Sequence, residues 1–457
     1  MHRDPPSAQP DARERPARNR TEGRLRLRAG RSGFARRVGV PTIRRLRIDE
    51  TAGWPVILAG IAALLWANSP WGSSYEALWS RTVALDLGAW RAEASLRDLV
   101  DLLLLPLFFF TIAVEIRAEL THGHLSELRR AALPVAAAIG GMAVPIAVYL
   151  AWTRGTPAQS GFGVPVATDI AFALAFLLVL GDRIPASLKA FLLAFAAVDD
   201  VGGILVIALF YGHGIAWGWL AAAGAVTATL LLLGRTDARA PWLYGGLALL
   251  LWASTALSGV HVTIAGVVLG LVLPARPLFD REEAARRVRA LAERLDRGPT
   301  SRDALLGAME ELVARTEAPA ERAARGLRPW VSYVVLPVFG LAMAGTALDP
   351  AALRDAVSST AAQAIAVALV LGKPVGVLAA TGLAVALGWA RLPAGVGWRH
   401  IAGVATLSGI GFTVSLFIAK LAFGPEALAS VRVAILGSSL LAGLGGLGIL
   451  ALASRRR

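Results

Sequence analysis

The chain contains no cysteine, which excludes disulfide bonds and thiolate metal sites. It also carries little charge, since Asp, Glu, Lys and Arg make up 17% of its 457 residues while 56% are hydrophobic. Several windows of at least about 18 residues are nearly free of charge, which is typical of helices that cross a membrane. A soluble protein is therefore excluded. The sequence predicts an all-α polytopic membrane protein.

Lysine is almost absent, because only Lys189, Lys373 and Lys420 among the 46 basic residues are lysines. An ammonium group can lose its proton when it is desolvated, whereas a guanidinium group cannot. Lys373 lies deep in the apolar stretch ALVLGKPVGVLAA and is a candidate for function. Lys189 and Lys420 lie near predicted helix ends, where we expect their long side chains to extend to the membrane interface.

The formal net charge of +14 comes from basic residues that are concentrated in a few segments. Residues 1–50 contain fourteen arginines and six acidic residues, which predicts a disordered basic arm that attracts anionic lipids. Residues 454–457 form a short basic tail. Because these segments are predicted to face the cytoplasm, the charge predicts no nucleic-acid partner.

Apolar runs separated by charges or turn residues predict twelve transmembrane segments. Their approximate bounds are 52–71, 99–117, 131–152, 162–180, 187–211, 216–234, 241–256, 260–274, 329–347, 361–387, 400–423 and 427–453. Lys and Arg accumulate in alternate connections, which favours an even number of crossings with both termini in the cytoplasm. Thus residues 51–274 hold segments one to eight, and residues 329–453 hold segments nine to twelve.

Two connections are predicted to have structure of their own. Residues 82–95 alternate partly between apolar and polar residues around a glycine, which predicts a short external hairpin. The cytoplasmic loop over residues 275–328 is predicted to be helical. Residues 280–325 are rich in Glu, Arg and Ala with Leu at helical spacing, which predicts one or two solvated helices interrupted by Gly298-Pro299. The cytoplasmic loop contains no catalytic pattern.

Four ionisable residues lie inside the apolar segments: Asp169, Asp199, Asp200 and Lys373. A charge near the centre of a bilayer costs about 2.5 to 3.5 kcal/mol, so four cost roughly 10 to 14 kcal/mol. That sum equals the whole stability of a typical domain, about 5 to 15 kcal/mol. The four residues therefore indicate an ion or proton pathway, although a buried acid that is merely paired with a lysine is an alternative.

Segments four and eleven are predicted to be interrupted helices. Segment four begins GFGVPVATDIAFALAF, with Pro165 and Thr168 just before Asp169, and segment eleven contains TLSGIGFTVSLF, with Gly409 and Gly411. Unwound backbone at membrane depth is tolerated only where it is buried in protein or lines a cavity, although glycine also serves close helix packing. Each segment is the middle of a trio, three to five or ten to twelve, which indicates inverted repeats around a midplane site.

The charges in these segments suit the exchange of ions. Asp169 would neutralise the amino-terminal ends of the broken helices and Lys373 the carboxyl-terminal ends. Asp199 and Asp200 lie about 100° apart on a helix, so both can border one water-filled funnel and titrate as a coupled pair. Carboxylate oxygens also bind sodium, with Thr168 and free carbonyl groups completing the shell.

Three further residues have two interpretations each. Glu115 and Glu119 lie one helical turn apart near the cytoplasmic end of segment two, where they either form the rim of a funnel or lie among lipid headgroups. His261 begins segment eight on the outer side. It either responds to pH or is a hydrogen-bonded residue at the interface.

Residues 50–455 resemble bacterial sodium/proton antiporters of the NhaA type. The resemblance is carried by VATDIAFALAFLLVLGDRIPASLKAFLLAFAAVDDVGGILVIALFY, SGVHVTIAG, LGKPVG, SGIGFTVSLFIAKLAFG, IGGMAVP and VEIRAEL. It implies a twelve-helix fold with two crossed, discontinuous helices in a bacterial inner membrane. It also implies export of sodium, and of lithium, against more than one proton, with roles in pH homeostasis and salt tolerance and with no cofactor.

The resemblance assigns ion and proton exchange to Asp199 and Asp200, and charge balance to Asp169 and Lys373. Glu115 and His261 match positions that the family links to pH response and cation entrance. The chain departs from the family pattern before segment nine, which reads ARGLRPW, and at Ala118, where an arginine is expected. These departures concern the pH profile and leave the exchange core intact. Homodimer formation stays open.

Two rival functions were weighed. An intramembrane aspartyl protease also needs two buried aspartates, but its YD and GxGD contexts do not surround Asp169, Asp199 or Asp200. A sodium-coupled carrier of organic anions on the same scaffold could use Lys373 for its substrate. The adjacent aspartate pair favours traffic of cations and protons instead.

Overall fold

The computed structural model describes residues 53–86, 91–212, 214–236, 240–275, 281–296, 307–308 and 318–454. The basic arm predicted for residues 1–50 and the tail after Ser454 lie outside the described residues. Much of the loop predicted for residues 275–328 lies outside them as well. Those three predictions stay predictions.

Helices make up most of the described chain. In chain order they are α1 Gly53–Ala67, α2 Gly72–Trp79, α3 Leu96–Thr121, α4 Leu128–Trp152, α5 Ile170–Val179, α6 Ala186–Phe210, α7 Trp217–Leu233, α8 Pro241–Leu257, α9 Thr263–Val272, α10 Arg281–Asp296, α11 Pro319–Ala344, α12 Pro350–Ser358, α13 Thr360–Ala386, α14 Trp398–Leu407, α15 Phe412–Ala422 and α16 Pro425–Ser454. Three of them contain five-residue π-helical stretches, namely α3, α11 and α13.

Six of the described helices are long and apolar enough to cross a membrane: α3, α4, α6, α11, α13 and α16. Two further pairs pass the same test together but are bent, α1 and α2 by 116° and α14 and α15 by 43°. The helices α5, α7, α8 and α9 are apolar but shorter. The protein is therefore an all-α membrane protein with several apolar helices.

A two-stranded antiparallel hairpin lies where the sequence predicts one. Strand β1, Thr82–Asp86, pairs with β2, Arg91–Ser95, and Thr82 lies opposite Ser95. Ser95 also begins α3, because its hydroxyl accepts from the backbone N–H of Asp98 at 3.1 Å. This capping box fixes the hairpin to the first turn of α3. We call this end of the helices the hairpin end.

Some helix bounds differ from the sequence prediction. Segment nine was predicted to begin at residue 329, but α11 begins at Pro319. The extra turns carry three arginines, which interrupt the apolar pattern, while the small residues Ala320 and Ala324 form their buried face. Helices α2 and α12 were not predicted, because each has fewer than ten residues and an amphipathic composition.

Four pairs of helices pack closely along each other. Helix α4 packs along α13, and α14 packs along α16, whereas α1 packs along α11 and α3 along α9. Gly140 of α4 and Gly376 of α13 face each other, and a Cβ at either position would strike the other's carbonyl oxygen. Glycine at both positions therefore lets the two backbones approach closely.

Candidate ion-binding site

The first interruption precedes α5. A short 3-10 helix, Pro157–Gly163, is followed by a turn over residues 164–166 that contains Pro165, and residues 167–169 are not helical. Helix α5 then begins at Ile170 with Asp169 as its N-cap. Predicted segment four is thus helical only on either side of Val164–Asp169 in the described structure.

The second interruption separates α14 from α15. Gly409 and Gly411 both lie in this break, and the two helices differ in direction by 43°. A side chain at position 409 would collide with the carbonyl oxygen of Leu369 in α13, so only glycine fits there without a shift. The backbone N–H groups of Gly411 and Phe412 both donate to Ser439 Oγ of α16, at 3.3 and 3.2 Å.

Hydrogen bonds to backbone carbonyl groups that lack helical partners join the two breaks. Four carbonyl groups at the breaks accept hydrogen bonds: Ser408 from Thr168 Oγ1 at 3.0 Å, Ile410 from the N–H of Asp169 at 2.7 Å, Val164 from Ser415 Oγ at 2.7 Å, and Val166 from Lys373 Nζ. Unpaired backbone groups in a membrane cost several kcal/mol each. Three side chains and one backbone N–H supply the bonds that the missing helical turns cannot, and the bonds of Thr168, Asp169 and Ser415 fix one break against the other.

Asp169 serves the amino-terminal ends of two helices at once. Its Oδ1 accepts from the N–H of Phe172 in α5 at 3.1 Å. Its Oδ2 accepts from the N–H of Thr413 at 3.1 Å and from Thr413 Oγ1 at 2.6 Å, at the start of α15. A carboxylate is stabilised at a helix amino terminus by the free N–H groups and the helix dipole. Asp169 therefore ties α5 to α15.

Lys373 and Asp199 form an ion pair with no exposed surface. Lys373 Nζ lies 3.0 Å from Asp199 Oδ2, and both side chains are 0% exposed. The same ammonium donates to the carbonyl of Val166. Within the described part of the chain, the buried Oδ1 of Asp199 has no hydrogen-bond partner. Such an oxygen is a free acceptor for a proton or a cation.

Asp200 follows Asp199 on α6 but faces a different environment. Asp200 is 6% exposed and lines a cavity of about 510 Å³ together with Thr168, Asp169 and Thr413. Successive residues on a helix point about 100° apart, which explains why one aspartate meets Lys373 and the other meets the cavity. The cavity thus brings a carboxylate of the pair to a space that can hold water or an ion.

The cavity extends from Asp200 to the far end of α3. Glu115 and Glu119 line its mouth together with Arg328 of α11. Arg328 lies 3.1 Å from Glu115 Oε1, and the two side chains are 42% and 53% exposed. Exposed ion pairs contribute about 0 to 1 kcal/mol, so this pair matters more for the charge at the mouth than for stability.

His261 lies away from this mouth. Its Nδ1 lies 3.0 Å from Thr263 Oγ1 at the start of α9, and its ring packs edge to face on Phe417 with the centroids 4.8 Å apart. Phe417 also contacts Phe109 of α3, at 6.1 Å between ring centroids. The structure therefore brings Thr168, Asp169, Asp199, Asp200 and Lys373 together, with the two glutamates at the cavity mouth and the histidine separate.

Sequence reasoning missed three hydroxyl residues that hold the breaks. Thr413, Ser415 and Ser439 each bond an end of an interrupted helix. Thr413 and Ser415 lie within four residues of Gly411 in the string GFTVS, so the glycine that marks the break is the signal that points to them. Ser439 belongs to α16, and no local pattern in the sequence relates it to residues 411 and 412.

A family model described as Na+/H+ antiporter 1 matches residues 44–450, which include every residue of the site. The chain belongs to this family. Within the Na+/H+ antiporter 1 family, the chain is 42% identical over 419 residues to a protein of Sorangium cellulosum named Na(+)/H(+) antiporter NhaA 2, covering 90% of this chain and 89% of that protein.

Two other relatives carry similar names. A protein of Anaeromyxobacter sp. named Na(+)/H(+) antiporter NhaA is 43% identical over 420 residues, which cover 90% of this chain and 91% of the relative. A protein of the same name from Rhodopirellula baltica is 39% identical over 419 residues, with 90% and 93% covered. The matched region thus covers nearly the whole of each of the three relatives.

Proposed function

We propose that this chain is a secondary sodium/proton antiporter of a bacterial inner membrane and not an enzyme. Membership of the Na+/H+ antiporter 1 family and the names of the relatives support this function. The observation that carries it is the pair of adjacent buried aspartates, one on the wall of a cavity and the other bonded to a buried lysine. Lithium would be carried along with sodium.

The site holds either protons or a cation. Three carboxylates, Asp169, Asp199 and Asp200, face one ammonium, Lys373, so the ionised site has an excess of negative charge that attracts cations. Sodium entering the cavity would be held by Asp200, by the free Oδ1 of Asp199 and by Thr168, since a hard cation takes oxygen ligands. Sodium and protons then compete for the same oxygens, and this competition couples their movements.

Alternating access would carry the occupied site from one face to the other. Exchange of one sodium for more than one proton makes the cycle electrogenic and lets the proton gradient drive sodium export. A rocking motion would take place between two groups that we assign here: the transport group is α4 to α6 with α13 to α16, and the scaffold group is α1 to α3 with α9 and α11. The close packing of α4 on α13 and of α14 on α16, and of α1 on α11 and of α3 on α9, supports these groups.

The proposed topology has twelve spans with inverted repeats. Six long helices, two bent pairs and four shorter apolar helices support that number, and the hydrogen bonds between the two breaks support their crossing. The hairpin end would face outward, and the mouth at Glu115 and Arg328 would face the cytoplasm with both termini. The same proposal includes a basic cytoplasmic arm over residues 1–50, a cytoplasmic helical loop over residues 275–328, an enclosing lipid bilayer and a homodimer.

The two rival functions are not favoured. The relatives are named as antiporters, which are transporters, so the aspartates need no protease role. Lys373 is bonded to Asp199 and Val166, which leaves it poorly placed to receive an organic anion from the cavity. Sodium-dependent uptake of a labelled organic anion would argue for the carrier instead.

The proposal is tested by proton movement in everted membrane vesicles. Addition of sodium should release protons from vesicles with the parent chain between about pH 6.5 and 9, and Asp199→Asn or Asp200→Asn should abolish that release because each removes a carboxylate. Asp355→Asn is the control, since Asp355 is exposed on α12, and it should match the parent. Sodium-dependent proton release that persists in Asp200→Asn would refute the assignment.

A further inference from the structure

Lys420 forms an ionic cluster at the hairpin end instead of extending to the membrane interface as predicted. Its Nζ lies 2.7 Å from Asp98 Oδ1 and 2.5 Å from Asp101 Oδ2. The Lys420 side chain is 21% exposed and the Asp101 side chain 11%. Hydrogen bonds between charged groups are about twice as strong as neutral ones, so the lysine holds both carboxylates firmly.

The cluster joins the transport group to the scaffold group. Lys420 lies in the last turn of α15, whereas Asp98 and Asp101 lie in the first two turns of α3. The start of α3 is itself held within the scaffold group: Arg97 forms an ion pair with Glu76 of α2 at 3.2 Å and donates to the carbonyl of Ala342 in α11 at 3.2 Å. Lys420 therefore bonds α15 to a fixed part of the scaffold.

An aromatic layer lies between the cluster and the ion site. Along α15, Thr413 bonds Asp169, Phe417 packs on Phe109 and His261, and Lys420 bonds Asp98 and Asp101. Thr413, Phe417 and Lys420 are spaced by four and three residues, which places their side chains on one face of the helix. The cavity leads from the site in the opposite direction, to Glu115 and Arg328. Glu115 lies fourteen residues after Asp101 on α3, which corresponds to about 21 Å along the helix.

We propose that Lys420, Asp98 and Asp101 form an ionic latch that keeps the outer side of the ion path closed while the cavity is open to the cytoplasm. This inference rests on the proposed alternating-access function. Opening toward the outside separates α15 from α3, which moves Phe417 away from Phe109 and breaks both bonds of Lys420. The latch therefore sets how often the outward-open state forms and takes no part in binding the transported ion.

The test uses the absence of cysteine from the chain. Thr111→Cys places a single thiol on the cavity wall, where Thr111 is buried and lines the space below Asp200. A membrane-impermeant thiol reagent added outside right-side-out vesicles reaches this thiol only in the outward-open state. Added to Thr111→Cys, Lys420→Met should raise the labelling rate at least about fivefold, the lower end of typical coupling between two global states.

Three companion variants make the result specific to the latch. Lys420→Arg keeps the charge and should label within about twofold of the Thr111→Cys parent. Lys189→Met removes a lysine outside the latch and should leave the rate unchanged. Lys420→Met leaves the buried Asp101 carboxylate unpaired, which could prevent folding. The double variant Lys420→Met with Asp101→Asn removes that carboxylate, so it breaks the latch without leaving an unpaired buried charge.

Outer labelling of both Lys420→Met chains at the parental rate would overturn the latch. Sodium-induced proton release is measured in the same Thr111→Cys background to keep the two proposals separate. If that parent exchanges sodium for protons while latch variants label no faster, the latch is wrong and the antiporter function stands. If the native chain exchanges no ions in the same assay, the antiporter function is refuted, whatever the labelling rates.

Discussion

At the scale of single residues, Asp169 and Thr413 carry the junction between the two interrupted segments. Thr413 gives Asp169 two hydrogen bonds, one from its backbone and one from its hydroxyl. The hydroxyl bond of 2.6 Å is short and reaches a carboxylate that has almost no contact with water. A bond to a charged group is stronger than one between neutral groups, so the Thr413 hydroxyl contributes more than an ordinary hydrogen bond to the start of α15.

We expect Thr413→Val to destabilise the protein by about 1.5 to 3 kcal/mol, because a hydrogen bond to a charged group is lost while the side-chain shape is kept. The thermal unfolding midpoint of the purified protein measures this loss, and the sodium concentration for half-maximal exchange should rise as well. Thr413→Ser keeps the hydroxyl and should stay close to the parent in both measurements. Equal midpoints for the Val and Ser variants would contradict the importance of this bond.

The residues of the site differ in how far the sequence predicts them. Asp199, Asp200, Asp169 and Lys373 are found easily, because a charge in an apolar segment is costly and therefore conspicuous. Ser439 is not, since hydroxyl residues are common in membrane helices and its two donors lie 27 and 28 positions away. The pairing of Lys373 with Asp199 alone also depends on the direction of each side chain, which the sequence does not contain.

At the scale of elements, the close approach of α4 and α13 sets the frame for both breaks. The backbones meet at Gly140 and Gly376, and Leu369 of α13 lies against Gly409 in the second break. A shift of α13 would therefore move Lys373 and the second break together. The packing of two unbroken helices thus determines the geometry of the interrupted ones.

Gly376→Ala should destabilise the protein by about 1 to 3 kcal/mol, the usual effect of overpacking, because the new methyl group meets the carbonyl of Gly140. Gly382→Ala is the matched control on the same helix, since its methyl group would meet only the Trp398 side chain, at 3.9 Å. That change should be neutral or stabilise the helix by up to about 1 kcal/mol. If both variants unfold at the same temperature, the close approach of Gly140 and Gly376 does not contribute to stability.

Element positions follow from the sequence where one period of hydrophobicity dominates. The spans of α4, α6 and α16 were predicted to within a few residues at each end for this reason. The start of α11 was predicted ten positions too late, because its first turns bury only alanine and expose arginine. Helices α2 and α12 were not predicted for a similar reason, because a short amphipathic helix contains no long apolar run.

At the scale of the whole molecule, the two ends of the ion path differ in construction. One end is an open cavity with Glu115 and Arg328 at its mouth, and the other is filled by aromatic rings and an ionic cluster. The distribution of Lys and Arg predicts which end faces the cytoplasm. It does not predict which end is closed, because that depends on contacts between α3 and α15 that are more than three hundred residues apart.

Competition at a single site predicts how sodium activation depends on pH. A proton bound to Asp199 or Asp200 must leave before sodium binds, so the apparent KM for sodium should rise as the pH falls. The rise should be about tenfold per pH unit on the acid side for each proton displaced, and KM should become constant at alkaline pH, where no proton competes.

The measurement is the initial rate of sodium-induced proton release over a range of sodium concentrations at each pH. Saturating sodium should restore the maximal rate at acid pH, because a competitor changes KM and leaves the maximal rate unchanged. A maximal rate that falls with pH while KM stays constant would place pH control at a separate group. In that case the mouth of the cavity, where Glu115 and Glu119 lie, becomes the region to change first.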